Sequence, residues 1–201
     1  MRFRRSYHAS GMALGLLLAS AFGRAAMAQT GTLGAPVPIT LAAAATSSIT
    51  VIVLSGSNQT IASITPNAIN QFPSPVQIYT EWNLSFFFGG TLSLVAYFSN
   101  PAQALTTGAF NIPAARVEGL TSGGNPTLLT AWTPITGNAV GGVGSAGGTA
   151  ALWNWPAICG FGIFCRQGNR TDQLDLRLNL VGYPLAAGTY AGVLNIRAVI
   201  Y

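Results

Sequence analysis

The chain has 201 residues, half of them hydrophobic and only 6 % charged, with a formal net charge of +5. So much apolar material offsets the entropy of ordering a chain of this length, which excludes a disordered polyelectrolyte and suits one domain with a sizeable core. Every basic side chain is Arg, and Arg2, Arg4 and Arg5 crowd the N-terminus, so the balance supplies no Lys/Arg cluster for a nucleic acid.

After those arginines comes the apolar run Met12 to Phe22 and then Ala26-Met27-Ala28, a small-x-small site. This is the order of a secretory signal peptide, with cleavage expected near Ala28–Gln29. The apolar run is 11 residues long, too short for the ~20 that a spanning helix needs. Arg4-Arg5 permits a twin-arginine route, but general secretion fits the remainder better. Residues 1–28 are therefore expected to be a signal peptide and residues 29–201 one domain, secreted, periplasmic or at the cell surface. Removing the leader removes His8, the sole histidine, and leaves five Arg against Glu81, Glu118, Asp172 and Asp175, a net of +1.

Residues 31–41 alternate, with Leu33, Ala35, Val37, Ile39 and Leu41 on one parity. Pro36 and Pro38 lack ladder donors, so the segment is expected as an edge strand or an extended arm. Ala42 to Ala45 offers at most a helical turn. Ile49 to Leu54 and Thr60 to Ile64 read as short strands. From Val76 to Phe88 one parity carries Val76, Ile78, Trp82, Leu84, Phe86 and Phe88. Gly89-Gly90 then leads into the alternating Thr91 to Phe98, which predicts a hairpin. Residues 99–148 are looser, with candidate strands at 109–117 and 128–133. Six glycines in 137–148 read as a flexible loop. Ala150 to Trp155 resumes a strand.

The last thirty residues carry the clearest pattern. Leu174, Leu176, Leu178 and Leu180 alternate with polar residues, and Tyr190, Leu194, Ile196, Ala198 and Ile200 share a second face. Successive strand side chains point to opposite sides, so each segment buries one face and wets the other. Val181 to Gly188 carries the Gly and Pro that break the two. Altogether about eight to ten short strands and no long helix indicate an all-β sandwich or barrel.

Few residues are available for chemistry. Cys159 and Cys165 are the only cysteines. In an exported chain an even count predicts a disulfide, and its small loop gives a little over ~2 kcal/mol in the chain-entropy model. A metal or redox pair is the alternative, but no histidine remains to complete a zinc site and the spacing is not CxxC. The stapled stretch holds Trp153, Trp155, Phe161 and Phe164, with Gly160 and Gly162 flanking Phe161. Held outward, these aromatics form a binding loop for a glycan or protein. Folded back, Trp153 and Trp155 join the core. Asp175 and Arg177 share a wet parity and suit a surface ion pair, and Glu118 lies near Arg116. Paired catalytic carboxylates of a glycosidase are not evident, and a Ser–His–Asp arrangement is excluded once His8 is gone. No metal site, no cofactor and no enzymatic activity are expected. Sequons begin at Asn58, Asn83 and Asn169.

The run Leu185-Ala186-Ala187-Gly188-Thr189-Tyr190-Ala191-Gly192-Val193-Leu194-Asn195-Ile196-Arg197, with the terminal aromatic Tyr201, resembles the last strand of spore-coat-protein-U-like and related pilin-like secreted bacterial domains. Leu94 to Asn100 is similar to exported bacterial proteins that share this ending. The resemblance implies an immunoglobulin-like β-sandwich assembled into surface fibres by a chaperone and usher. Its partners would be copies of itself or related subunits and a periplasmic chaperone. Residues Leu33, Ala35, Val37, Ile39 and Leu41 then acquire a role as a donor-strand arm that completes a neighbour's sheet. The alternative is that they form the first edge strand of their own sandwich. The function expected is a non-enzymatic structural or adhesive surface protein. A monomeric binding module using the 153–165 loop stands beside it.

Overall fold

The computed structural model describes residues 37–44, 49–83, 90–108, 110–124, 126–156 and 167–201. The expected signal peptide, Leu33, Ala35, the cysteine pair, Phe161 and Phe164 lie outside them. Among the described residues there are thirteen strands: β1 Val37–Ala44, β2 Ile49–Ser55, β3 Asn58–Ile61, β4 Ile69–Gln71, β5 Val76–Asn83, β6 Thr91–Tyr97, β7 Leu105–Thr107, β8 Phe110–Ile112, β9 Val117–Gly123, β10 Thr133–Pro134, β11 Thr149–Pro156, β12 Gln167–Asn179 and β13 Gly192–Ile200. The number exceeds the expected eight to ten because β3, β4, β7, β8 and β10 are only two to four residues long.

Two sheets form an all-β sandwich, one of the two architectures that the strand pattern allows. One has the order β11-β6-β13-β1-β3, the other β10-β9-β12-β5-β2 with β4 also on β12, and β7-β8 pair separately. The two C-terminal strands lie in opposite sheets. Leu174, Leu176 and Leu178 of β12 and Leu194, Ile196 and Ala198 of β13 are all buried and belong to one core cluster. Full burial of a Leu or Ile side chain is worth about 1.5–3 kcal/mol, so each inward position of this period-2 pattern is a substantial stabilising contribution. Among the described residues no helix is long and apolar enough to cross a membrane.

Several expectations are corrected. β1 is not an edge strand: it lies between β13, with which it runs parallel, and β3. Its pairing with β3 covers Val37 to Thr40 and that with β13 covers Ile39 to Ala44. Pro38 thus falls before the second partner begins, where its missing N–H leaves only one ladder to interrupt. The alanines continue this strand to Ala44 instead of turning into a helix. At Gly192, where the parallel pairing starts, an added Cβ would collide with the Ala104 carbonyl, so glycine is required there by close approach.

β5 and β6 do not form the expected hairpin, because they belong to opposite sheets. Leu92, Ser93, Leu94, Val95 and Ala96 are all buried, the mark of a central strand covered on both faces. β9 was not evident in the sequence, since Glu118, Gly119, Ser122 and Gly123 are poor strand formers. It is nonetheless paired along β12 from Val117 to Gly123. Residues 137–148 close on themselves instead of hanging open. Val140 and Val143 bond each other's backbones at 2.9 Å, and the Thr149 hydroxyl joins Ser145 N (2.9 Å) and O (2.8 Å).

Candidate functional site at the Trp82 end

The ends of β5, β11 and β12 meet at one end of the sandwich, where residues 153–156 and 167–170 flank the aromatic stretch singled out in the sequence. Strand parity sends Trp82 inward between the outward-facing Glu81 and Asn83, and Gly168 and Arg170 inward between Gln167, Asn169 and Thr171. Two layers result, one inside the sandwich and one on its outer face.

The inner layer is aromatic and ionic. The ring centroids of Trp82 and Trp153 lie 6.0 Å apart, and those of Trp82 and Trp155 6.4 Å, both pairs tilted. Such tilted pairs add about 0.5–1.5 kcal/mol beyond their buried area. The Arg170 guanidinium sits 4.5 Å from the Trp153 ring centre and forks onto Asp172, with Nε to Oδ2 at 2.8 Å. Asp172 is 1 % exposed, so its charge is tolerable only because this pair and the ring face compensate for lost water. Gly168 lies directly across from Trp82, and any Cβ there would overlap the indole. The hydroxyl of Thr80 and the indole N–H groups of Trp82 and Trp153 are buried and find no hydrogen-bond partner among the described residues.

The outer layer is a polar hollow of about 360 Å³ lined by Glu81, Trp82, Asn83, Gln167, Gly168 and Asn169. Glu81 pairs across the ladder with Asn169 and Asn83 with Gln167. Asn83 Oδ1 accepts from Gln167 Nε2 at 3.4 Å, and Tyr79 OH donates to Glu81 at 3.5 Å. Three primary amides and one carboxylate present donors and acceptors together, which suits a polyhydroxylated ligand. Among the described residues no group of three His, Cys, Asp or Glu side chains could hold a metal ion.

Trp153 is fully buried and Trp155 partly so. They form the base of the 153–165 stretch, packed on the core, while Phe161, Phe164, Cys159 and Cys165 lie outside the described residues. Val37, Ile39 and Leu41 of the expected arm share one parity of β1, in the opposite sheet from β5 and β12. The acids are distributed differently from the sequence reading. Arg177 pairs with Glu118, directly across from it on β9, instead of with Asp175, and Glu118 also accepts from Asn179 Nδ2 at 2.9 Å. Arg116 instead donates to the Val181 carbonyl at 3.1 Å and lies over the Tyr183 ring. The chain matches no protein-family model and no curated protein.

The sequence reading missed the Arg170–Asp172 pair and the amide hollow. Arg170 and Asp172 share a parity, but a charged pair two apart normally lies on a wet face, and only the covering sheet turns it into a buried one. In the sequence Asn83 and Asn169 stand out solely as sequon positions. Their meeting depends on the β5–β12 register.

A second crevice, about 630 Å³, lies toward the other end of β12 and includes Phe110, Pro113, Tyr183, Pro184 and Tyr190. Tyr183 OH donates to Asn111 O at 2.6 Å and Tyr190 OH to Ala186 O at 3.0 Å. Burial pushes the Tyr190 phenol above its usual range.

Proposed function

We propose that this chain is an exported, non-enzymatic structural or adhesive component of the cell surface, built as a β-sandwich whose N-terminal arm can be shared between copies. The observation that carries this reading is the seat of β1. The arm enters beside the final strand and completes the sheet of β6, β13 and β3, which is the kind of place a donor strand takes in chaperone-assisted fibres. The same chain fills it here, so the monomer is self-completed. Exchange of β1 between copies is the low-cost route to a fibre.

The acids of the described residues support a role without catalysis. Asp172 and Glu118 are committed to ion pairs, which leaves Glu81 without a second carboxylate in the hollow. The test is electrophoresis of the exported protein, with and without heating. A heat-sensitive ladder of SDS-resistant oligomers is expected, and a chain that stays monomeric at every temperature and concentration overturns the fibre form.

A second reading, a carbohydrate-binding module, is favoured by the amide-lined hollow. Binding to immobilised glycans should then fall at least several-fold in Asn83→Ala and Asn169→Ala. Equal binding by both variants and the parent protein sinks it.

A further inference from the structure

The crevice toward the other end of β12 is assembled from stretches that are distant in the chain, and its walls are braced by bonds the protein makes with itself. Tyr183 OH donates to Asn111 O at 2.6 Å, Tyr190 OH to Ala186 O at 3.0 Å, and Ala102 N to Asn100 Oδ1 at 3.2 Å. Arg116 lies over the Tyr183 ring at 5.1 Å and donates to the Val181 carbonyl at 3.1 Å, which holds that ring in place. Pro113 and Pro184 remove backbone freedom from two of the walls. The crevice is thus preformed, and its volume of about 630 Å³ falls within the ordinary range of ligand sites, about 300–1,000 Å³.

None of the described residues that line it is charged. A charged ligand would lose its water there without gaining a counter-charge. Both phenol O–H groups are already spent on carbonyls of the protein. What the crevice presents is ring and proline faces, with Phe110 56 % exposed, and the side-chain amide of Asn111. That amide makes no hydrogen bond among the described residues. One amide is too few for the many hydroxyls of a saccharide, so this crevice differs in kind from the amide-lined hollow at the Trp82 end.

We propose that this crevice binds an uncharged, proline-containing segment of a partner polypeptide in the extended polyproline conformation. Proline suits it for two reasons. Its ring supplies an apolar face for Phe110, Tyr183 and the two crevice prolines, the kind of aromatic-lined seat in which such segments dock. It also has no N–H, so it brings no backbone donor to a surface whose Asn111 and Ala186 carbonyls are already taken by the two phenols. The carbonyls that the segment does bring are acceptors for Asn111 Nδ2. A polyproline helix is extended before it binds, so seating it costs less entropy than ordering a flexible chain. This site goes beyond exchange of β1 and beyond the glycan reading, because it uses neither β1 nor the hollow.

Fluorescence anisotropy of labelled decaproline, titrated with the purified exported protein, tests the proposal. Saturable binding is expected, and a glycine–serine peptide of equal length should bind about 10-fold more weakly or worse. Phe110→Ala should raise the dissociation constant about 10-fold or more and leave the Tm unchanged, because the ring is more than half exposed. Asn111→Ala, the second variant should the first fold poorly, should weaken binding about 5-fold. Added salt should leave the affinity unchanged, since no charge lines the site among the described residues. Failure of decaproline to bind overturns the proposal, as does equal binding of the glycine–serine peptide. Equal binding by the parent protein and both variants overturns it as well. Displacement of decaproline by cellohexaose has the same consequence, by assigning the crevice to saccharides.

Discussion

The guanidinium of Arg170 lies 4.5 Å from the centre of the Trp153 ring while its Nε and Nη2 both donate to the Asp172 carboxylate. One cation is thus divided between a carboxylate and an aromatic face inside the sandwich, at side-chain exposures of 8 % for Arg170 and 1 % for Asp172. The stability of the Trp82 end depends on keeping these three groups together.

Breaking that pair from one side strands a buried charge. Arg170→Met and Asp172→Asn are each expected to cost about 3–5 kcal/mol, whereas an apolar replacement of both should recover much of the loss. Urea denaturation of the two single variants and the double variant gives the coupling energy directly. A double variant as unstable as the sum of the singles contradicts this account.

The Arg177–Glu118 pair is predicted to behave differently. Its Arg side chain keeps 20 % of its exposure, and Asn179 offers Glu118 a second donor. Glu118→Gln should therefore cost about 0–1 kcal/mol, and that loss should shrink in added salt. Thermal melts at low and high ionic strength check both statements.

Gly168 is expected to be intolerant of any side chain. A Cβ there overlaps the Trp82 indole, and overpacking a filled core costs typically about 1–3 kcal/mol. Gly168→Ala should lower the denaturation midpoint, and Gly168→Ala combined with Trp82→Phe should recover part of the loss. An unchanged midpoint for Gly168→Ala is incompatible with this packing.

Tyr190 should make the protein sensitive to alkali. Burial raises its phenol above the ordinary value of 10.0, so the folded state holds the proton more tightly than the unfolded chain does. The contribution is complete below the unfolded pKa and declines as pH rises through 10.0 and on through the raised folded value. Tyr190→Phe forfeits the bond to Ala186, about 1 kcal/mol at neutral pH, but should lose less stability above pH 10.0 than the parent does. Parallel stability curves for the two proteins over that range rule this out.

Much of the fold was legible because strand parity is a local property. Leu174, Leu176 and Leu178 face inward, as their spacing demands, and so do Leu194, Ile196 and Ala198. Other features were hidden because they depend on partners far away in the chain. Gly119 lies in a strand despite its poor propensity because Leu174 and Leu129 pack closely against it. Trp153 could be a loop anchor or a core residue on its sequence alone, and the sheet above it decides for the core.

By itself the sequence determined that the chain is made of strands with one apolar face each, and which residues occupy that face, because alternation along a strand follows from backbone geometry alone. Which strands pair, and in which sheet, was decided only by the tertiary structure. β5 and β6 are neighbours in sequence yet lie in opposite sheets, and β1 enters between β13 and β3 in spite of Pro38. Pairing is a competition among distant edges for ladder bonds and buried area, and no local pattern records its outcome. The same competition buried Arg170 and Asp172 and gathered Asn83, Gln167 and Asn169 into one hollow.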